Sequence, residues 1–126
     1  MKKIKGSINS ISLTIYATKT LTEFKEGARL FTAGLEEGSG ILFDFGQAQV
    51  ISMENSGVQE DLCVLYFYKF SKYGIVQEVQ VMKADTYGPY NSQGFYNECL
   101  ELKKSFCDMN NVVVGSILLL NDSPDA

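Results

Sequence analysis

Residues 62–70, Leu62-Cys63-Val64-Leu65-Tyr66-Phe67-Tyr68-Lys69-Phe70, carry apolar or aromatic side chains on both alternating faces. A strand wetted on one side alternates apolar with polar residues, so this one is covered on both sides and belongs centrally in a sheet. The turn Ser71-Lys72-Tyr73-Gly74 leads into residues 75–82, where Val79 and Val81 share one face and Glu78 and Gln80 the other. Two such runs joined by a short turn containing Gly predict an antiparallel hairpin.

Upstream, Ile11, Leu13, Ile15 and Ala17 alternate with Ser10, Ser12, Thr14 and Tyr16, which predicts a half-buried antiparallel strand. Thr20 and Glu23 form a T-x-x-E capping box, and Leu21, Phe24, Ala28 and Phe31 follow at helical spacing, so an amphipathic helix should run to about Gly34. Residues 36–40 read as a turn, 41–45 and 50–53 as strands, and 54–61 as a polar connection around Gly57. Downstream, residues 84–94 read as a long surface loop and 95–102 as a strand. Residues 103–110 suit a short helix with Phe106 and Met109 inward, 112–120 suit the last strand, and 121–126 a frayed tail.

Many short strands with one substantial helix exclude a doubly wound sheet, which needs a helix between most strands. The expected class is a mostly β, mostly antiparallel sandwich or barrel-like domain with one flanking α-helix and one short helix. At 126 residues with 45% hydrophobic composition, the chain is long enough for one core across residues 1–126 without a metal or disulfide staple.

Composition removes several function classes. There is no His, so Ser-His-Asp and Cys-His nucleophiles and His-containing zinc sites are unavailable, and no metal or cofactor is expected. The net charge of −4 leaves Lys2, Lys3 and Lys5 as the one basic cluster, read as a flexible tip and not as a nucleic-acid surface. No apolar run approaches the roughly 20 residues of a membrane span, and no signal-peptide core follows the basic start, so a cytoplasmic protein is expected. Cys63, Cys99 and Cys107 lack C-x-x-C spacing and lie in apolar stretches, as reduced core thiols do.

Asn55, Asp61, Tyr90, Ser92 and Glu101 are the five candidate ligand contacts, and Arg29 is weighed beside them. Asp61 precedes the most apolar strand, where it can serve as an acid or cap the preceding turn. Glu101 shares its strand face with Cys99, which makes it either a solvent-facing acid or a partly buried one that pairs with Asp61 in acid–base chemistry. Tyr90 and Ser92, in the stretch Tyr87-Gly88-Pro89-Tyr90-Asn91-Ser92, suit stacking and hydrogen bonding to a small molecule or sugar, or anchoring of the loop. Arg29, the lone arginine, reads as an exposed helix residue or a carboxylate clamp. Asn55 enters through a resemblance.

Met53-Glu54-Asn55-Ser56, with Asp61 eight residues after Met53, resembles the F-W-M-K-N-T-x-x-P-L-D signature of the domain of unknown function 192 family. Gly40-Ile41-Leu42-Phe43, Gly74-Ile75-Val76, Tyr90-x-Ser92, Leu100-Glu101 and Val114-Gly115 are similar to further family motifs in the same order, over about residues 13–120. Ala28, Thr32, Ile51-Ser52, Glu54, Gln59 and Ser116 depart from the pattern. The resemblance implies a compact β-sandwich or barrel with one helix, no assigned activity, and Asn55, Asp61 and Glu101 as the positions carried over. Family members in marine cyanobacterial phages extend the implication to a viral source and a virion-associated location. The expected function is non-catalytic binding of a small molecule or carbohydrate at Asn55, Asp61, Tyr90, Ser92 and Glu101. The alternatives are a structural or accessory component, possible partners then being proteins, and a carboxylate-based hydrolase.

Overall fold

Lys2–Ile8 (β1) and Ile11–Ala17 (β2) form a tight antiparallel hairpin in which Ile8 pairs with Ile11. The basic start is therefore an ordered strand and not a flexible tip. Its lysines alternate with Ile4, Gly6 and Ile8, so one face is buried while Lys3 and Lys5 point outward. Asn9 and Ser10 take positive φ of 48° and 68°, the primed turn that matches strand twist. This computed structural model describes residues 1–70 and 72–121; Ser71 of the expected turn and the expected tail beyond Asn121 lie outside the described residues.

Thr20 caps Leu21–Glu26 (α1) through the expected capping box. The helix ends far short of Gly34, because Gly27 adopts φ +49° and the chain continues as a 3-10 turn over Gly27–Leu30. A Cβ on Gly27 would stand 3.0 Å from Phe43 Cζ, so the backbone lies against the sheet where a side chain would fit only by displacement. Leu21 falls off the apolar stripe and is exposed.

The remaining strands are Ser39–Gln49 (β3), Ser52–Met53 (β4), Leu62–Phe67 (β5), Lys69–Phe70 (β6), Tyr73–Ile75 (β7), Glu78–Met82 (β8), Tyr90–Asn91 (β9), Tyr96–Lys103 (β10) and Ile117–Leu120 (β11). Nine of the eleven described strands form one mixed sheet in the order β6-β7-β11-β1-β2-β3-β10-β5-β8, and β4 pairs with β9 in a small separate ribbon. The pairings are antiparallel except for β2 with β3, which is parallel. The expected β-rich class holds, without closure into a barrel among the described residues.

All six residues of β5 are buried, as the two apolar faces required. The strand lies next to the edge strand β8, not at the centre. Its hairpin partner is β8, from Leu62 opposite Met82 to Tyr66 opposite Glu78. The tip of that hairpin pairs β6 with β7 and reaches across to β11. One hairpin thus supplies both ends of the strand order, and the sheet curls.

The curl gives β3, β10 and β5 two buried faces. Leu42, Leu65, Phe67, Leu100 and Leu102 face inward to meet Ile4, Ile8, Leu13, Ile15, Leu118 and Leu120. Ile41, Phe43, Leu62, Val64, Tyr66 and Cys99 face outward under Ala28, Leu35, Ile51 and Val58. A short helix, Lys104–Met109 (α2), closes the inner core with Phe106 and Cys107. Met109, expected inward, is exposed because the helix turns Cys107 to the core in its place. The three cysteines are buried and free.

Candidate functional site

A cavity of about 200 Å³ opens in the outer core, between the α1 and 3-10 segments, β3, β4, the chain from Glu54 to Val58, and β10. Strand alternation puts Glu101 here: it pairs with Ile41 of β3 and Val64 of β5, both outer-core residues, and shares the face of Cys99. The solvent-facing alternative for Glu101 is thereby corrected, since the 3-10 turn lies over that face and leaves the residue 3% exposed. A Cβ on Gly27 would come within 3.8 Å of Glu101 Oε1. Removal from water pushes the Glu101 carboxyl up to about 8, so that it is mostly protonated at neutral pH.

Asn55 lines the same cavity and is buried. Its side-chain amide donates to the carbonyls of Glu60 at 3.0 Å and Lys83 at 3.1 Å, tying the 54–60 connection to the end of β8. Its Oδ1 is buried without a hydrogen-bond partner. Phe24, Phe43 and Phe45 wall the cavity, with the Phe24 ring edge-on to the other two at centroid distances of 5.6 and 4.8 Å. At the rim, Arg29 is held by Glu26 at 2.9 Å and Glu54 at 3.1 Å, and it also donates to the carbonyls of Lys25 and Ser56. Its guanidinium is engaged by the protein's own acceptors and is not a free carboxylate clamp.

The other candidates lie elsewhere. Asp61 accepts from the Ala84 backbone N–H at 2.7 Å, as a capping residue does, and lines a shallow depression with Lys103, Lys104 and Asp108. Asp61 and Glu101 line different depressions, so the two carboxylates do not frame one substrate site. Tyr90 accepts from the Lys83 backbone N–H at 3.2 Å and shares a hydrogen bond with Thr86 Oγ1. Ser92 accepts from the Ile51 backbone N–H at 2.9 Å and donates to the Gly94 carbonyl at 2.8 Å. Both fasten the long loop to the sheet. Of the five candidates, Asn55 and Glu101 line this cavity and Asp61, Tyr90 and Ser92 do not.

Sequence reasoning missed the three-phenylalanine wall and Gly27. Gly27 inside a helical pattern was the available signal, since an isolated Gly there often marks close backbone approach or a cap. Among the described residues, no group of three metal-ligating side chains gathers and no helix is long and apolar enough to cross a membrane.

The fold is of a β-rich class built on one large mixed, curled sheet. No protein-family model and no curated protein matches the chain. It is similar to a solved structure from Sinorhizobium meliloti 1021, described as a candidate transcription regulator, with a TM-score of 0.81 at 16% identity over 94% of each chain. It is also similar to a protein of unknown function from Novosphingobium aromaticivorans DSM 12444, with a TM-score of 0.75 at 12% identity over 92% of this chain and 84% of that one. At such identities the likeness shows a shared fold alone.

Proposed function

We propose that the chain is a non-catalytic domain that binds a small molecule in the cavity over Glu101. The observation carrying this reading is that Asn55 Oδ1, buried without a hydrogen-bond partner, and the buried carboxyl of Glu101 belong to residues lining one cavity. Buried polar groups are almost always bonded, and each one left alone costs about 1–3 kcal/mol. A ligand supplying the missing partners offsets that cost. Aromatic and apolar walls from Phe24, Phe43, Phe45 and Val58 stand beside polar and charged groups, a combination that gives a small molecule both burial and orientation. Membership of the domain of unknown function 192 family, supported by the ordered motifs quoted above, is part of the same proposal. Regulation of transcription, the description attached to the Sinorhizobium neighbour, gains no support from the net charge of −4, with Lys3 and Lys5 on a single strand face.

A thermal-shift screen of the full chain with sugars, aromatic and aliphatic metabolites tests the reading. A ligand at 100 times its Kd should add roughly 2.7 kcal/mol of stability. Ser52→Trp, at an exposed position on the cavity wall, should abolish that gain while leaving the unliganded protein's unfolding midpoint in place. A screen without stabilisation, or stabilisation indifferent to Ser52→Trp, would overturn it.

A second reading, assembly with a protein partner, is favoured by an exposed apolar strip. Ile117 stands opposite Ile75 and Leu119 opposite Tyr73, all four exposed on the outer face of β7 and β11. A monomer by sedimentation at high concentration, with no partner retained from its native host, would count against it.

A further inference from the structure

We infer that the cavity over Glu101 takes a small organic cation, a primary ammonium carried on an aromatic or short apolar body, with Glu101 as its counter-charge. The inference rests on the ligand-site reading above and names the ligand class. Two buried acceptor groups belong to this lining: Asn55 Oδ1, which is without a partner and only accepts, and the Glu101 carboxyl, which accepts through both oxygens once ionised. An ammonium has three donors and no acceptor, so it satisfies both sites without leaving an unmet atom of its own.

The surroundings select the same sign of charge. Phe24, Phe43 and Phe45 line the cavity, and aromatic ring faces carry the negative end of a quadrupole that attracts cations. Arg29, which lines the rim with Lys25, is paired with Glu26 and Glu54, so its charge is balanced before a ligand arrives. Glu101 meanwhile makes no hydrogen bond or ion pair among the described residues, in contrast to Asn55, whose amide holds the backbone carbonyls of Glu60, Met82 and Lys83. A carboxyl buried without a partner is a liability that an arriving cation removes, because buried charges persist when paired. The size also fits: an engineered apolar cavity of about 150 Å³ in another protein holds benzene, and this one, at about 200 Å³, has room for a ring with a one-carbon ammonium arm.

The reaction is a proton exchange with a closed balance. Glu101 enters as the neutral acid, the ammonium binds, and the carboxyl proton leaves to solvent, so ligand charge replaces proton charge at the same oxygens. The titratable and charged groups sharing this surrounding are Cys99 on β10 and Tyr66 on β5, and Lys25, Glu26, Arg29 and Glu54 at the rim. Burial pushes Cys99 and Tyr66 further up, which keeps their protons in place through neutral pH.

Isothermal titration calorimetry of the full chain with benzylamine, benzyl alcohol and toluene tests this. Benzylamine should bind about tenfold or more tightly than benzyl alcohol at pH 8, the advantage expected of a charge-assisted pair. Its affinity should rise by close to tenfold per pH unit below about pH 7, less steeply on approaching pH 8, and flatten above, because Glu101 loses its proton near that value. Titrations at pH 7 in two buffers of different ionisation enthalpy should show nearly one proton released per benzylamine and none per benzyl alcohol. Glu101→Gln should lose the amine preference and the proton release, and the wild-type pH and buffer series stand even if that variant folds poorly. If toluene and benzyl alcohol bind but benzylamine binds no better, or binds without proton release, the cation inference is overturned while the cavity remains a ligand site. If none of the three binds, the cation inference is overturned, and the ligand-site reading is decided separately by the thermal-shift screen.

Discussion

The two faces of β3, β10 and β5 are both buried but are covered in different ways. The inner face is covered by the sheet itself, curled so that β1, β2 and β11 deliver Ile4, Ile15 and Leu118 onto Leu42, Leu65 and Leu100. The outer face is covered by short pieces: a six-residue helix, a 3-10 turn, the two-residue strands β4 and β9, and the connection from Glu54 to Asp61. Regular strands interdigitate to near-crystalline density, whereas short irregular pieces meet the sheet at single contacts and leave gaps between them. The cavity, the unpaired amide oxygen and the buried acid all belong to the outer face. In this molecule irregular cover is what makes room for chemistry.

The contrast breaks most sharply at Glu101. Its folded-state carboxyl titrates near 8, against an ordinary value of 4.5, so between those two values the folded protein holds a proton that the unfolded chain has released. Stability from this group is therefore full below the ordinary value, falls as pH rises between the two values, and is flat above. Glu101→Gln should remove that slope, and at pH 9 the variant should be the more stable by on the order of 5 kcal/mol, since each pH unit between the two values costs the wild type about 1.4 kcal/mol. Urea unfolding of both proteins at pH 5, 7 and 9 measures it; parallel pH profiles would show that Glu101 is solvated.

Truncation of the two cores sharpens the comparison. Leu100→Ala in the inner core should cost about 3 kcal/mol, while Phe45→Ala at the partly covered cavity wall should cost about 1 kcal/mol. Chemical-denaturation midpoints decide between them, and equal losses would mean that the outer face is packed as tightly as the inner. The smallest expected effect is at the cover itself. Thr20→Ala removes the bond that the Glu23 N–H donates to the Thr20 hydroxyl at 3.1 Å and should cost about 1 kcal/mol. If the cover opens locally, hydrogen exchange of the α1 amides should rise in that variant while those of β5 and β10 stay protected.

Much of this arrangement could be read in the residues, and the unreadable part has a common cause. Leu62 to Phe67 announced a doubly covered strand because both of its faces are apolar, and Thr20 with Glu23 announced the start of α1 because a capping box is local. The Lys2, Lys3 and Lys5 cluster concealed β1, since the lysines on the outward face masked the alternation of Ile4, Gly6 and Ile8. Gly27 ended the helix early through a close approach to Phe43, a residue 16 positions away in sequence. The site was legible to the same extent. Asn55 and Glu101 could be named, but their meeting depends on the 3-10 turn lying across β10, a long-range event without a local signature. Asp61, Tyr90 and Ser92 could be named on the same grounds, and the backbone N–H groups of Ala84, Lys83 and Ile51 engage them instead.

The pairing of Gly6 with Leu120 has a consequence in time. During synthesis β1 and β2 are available early, yet the strand that covers the open edge of β1, and that docks the β6–β7 tip, is the last to be made. The inner core lacks Leu118 and Leu120 until then. A nascent chain stopped at residue 110 would carry all of β5 and β10 with an exposed edge and an unfilled inner face, the condition under which partly made β proteins associate wrongly. Ribosome-stalled chains of increasing length should therefore gain protease resistance abruptly once residue 120 has cleared the exit tunnel, and not gradually as each hairpin emerges.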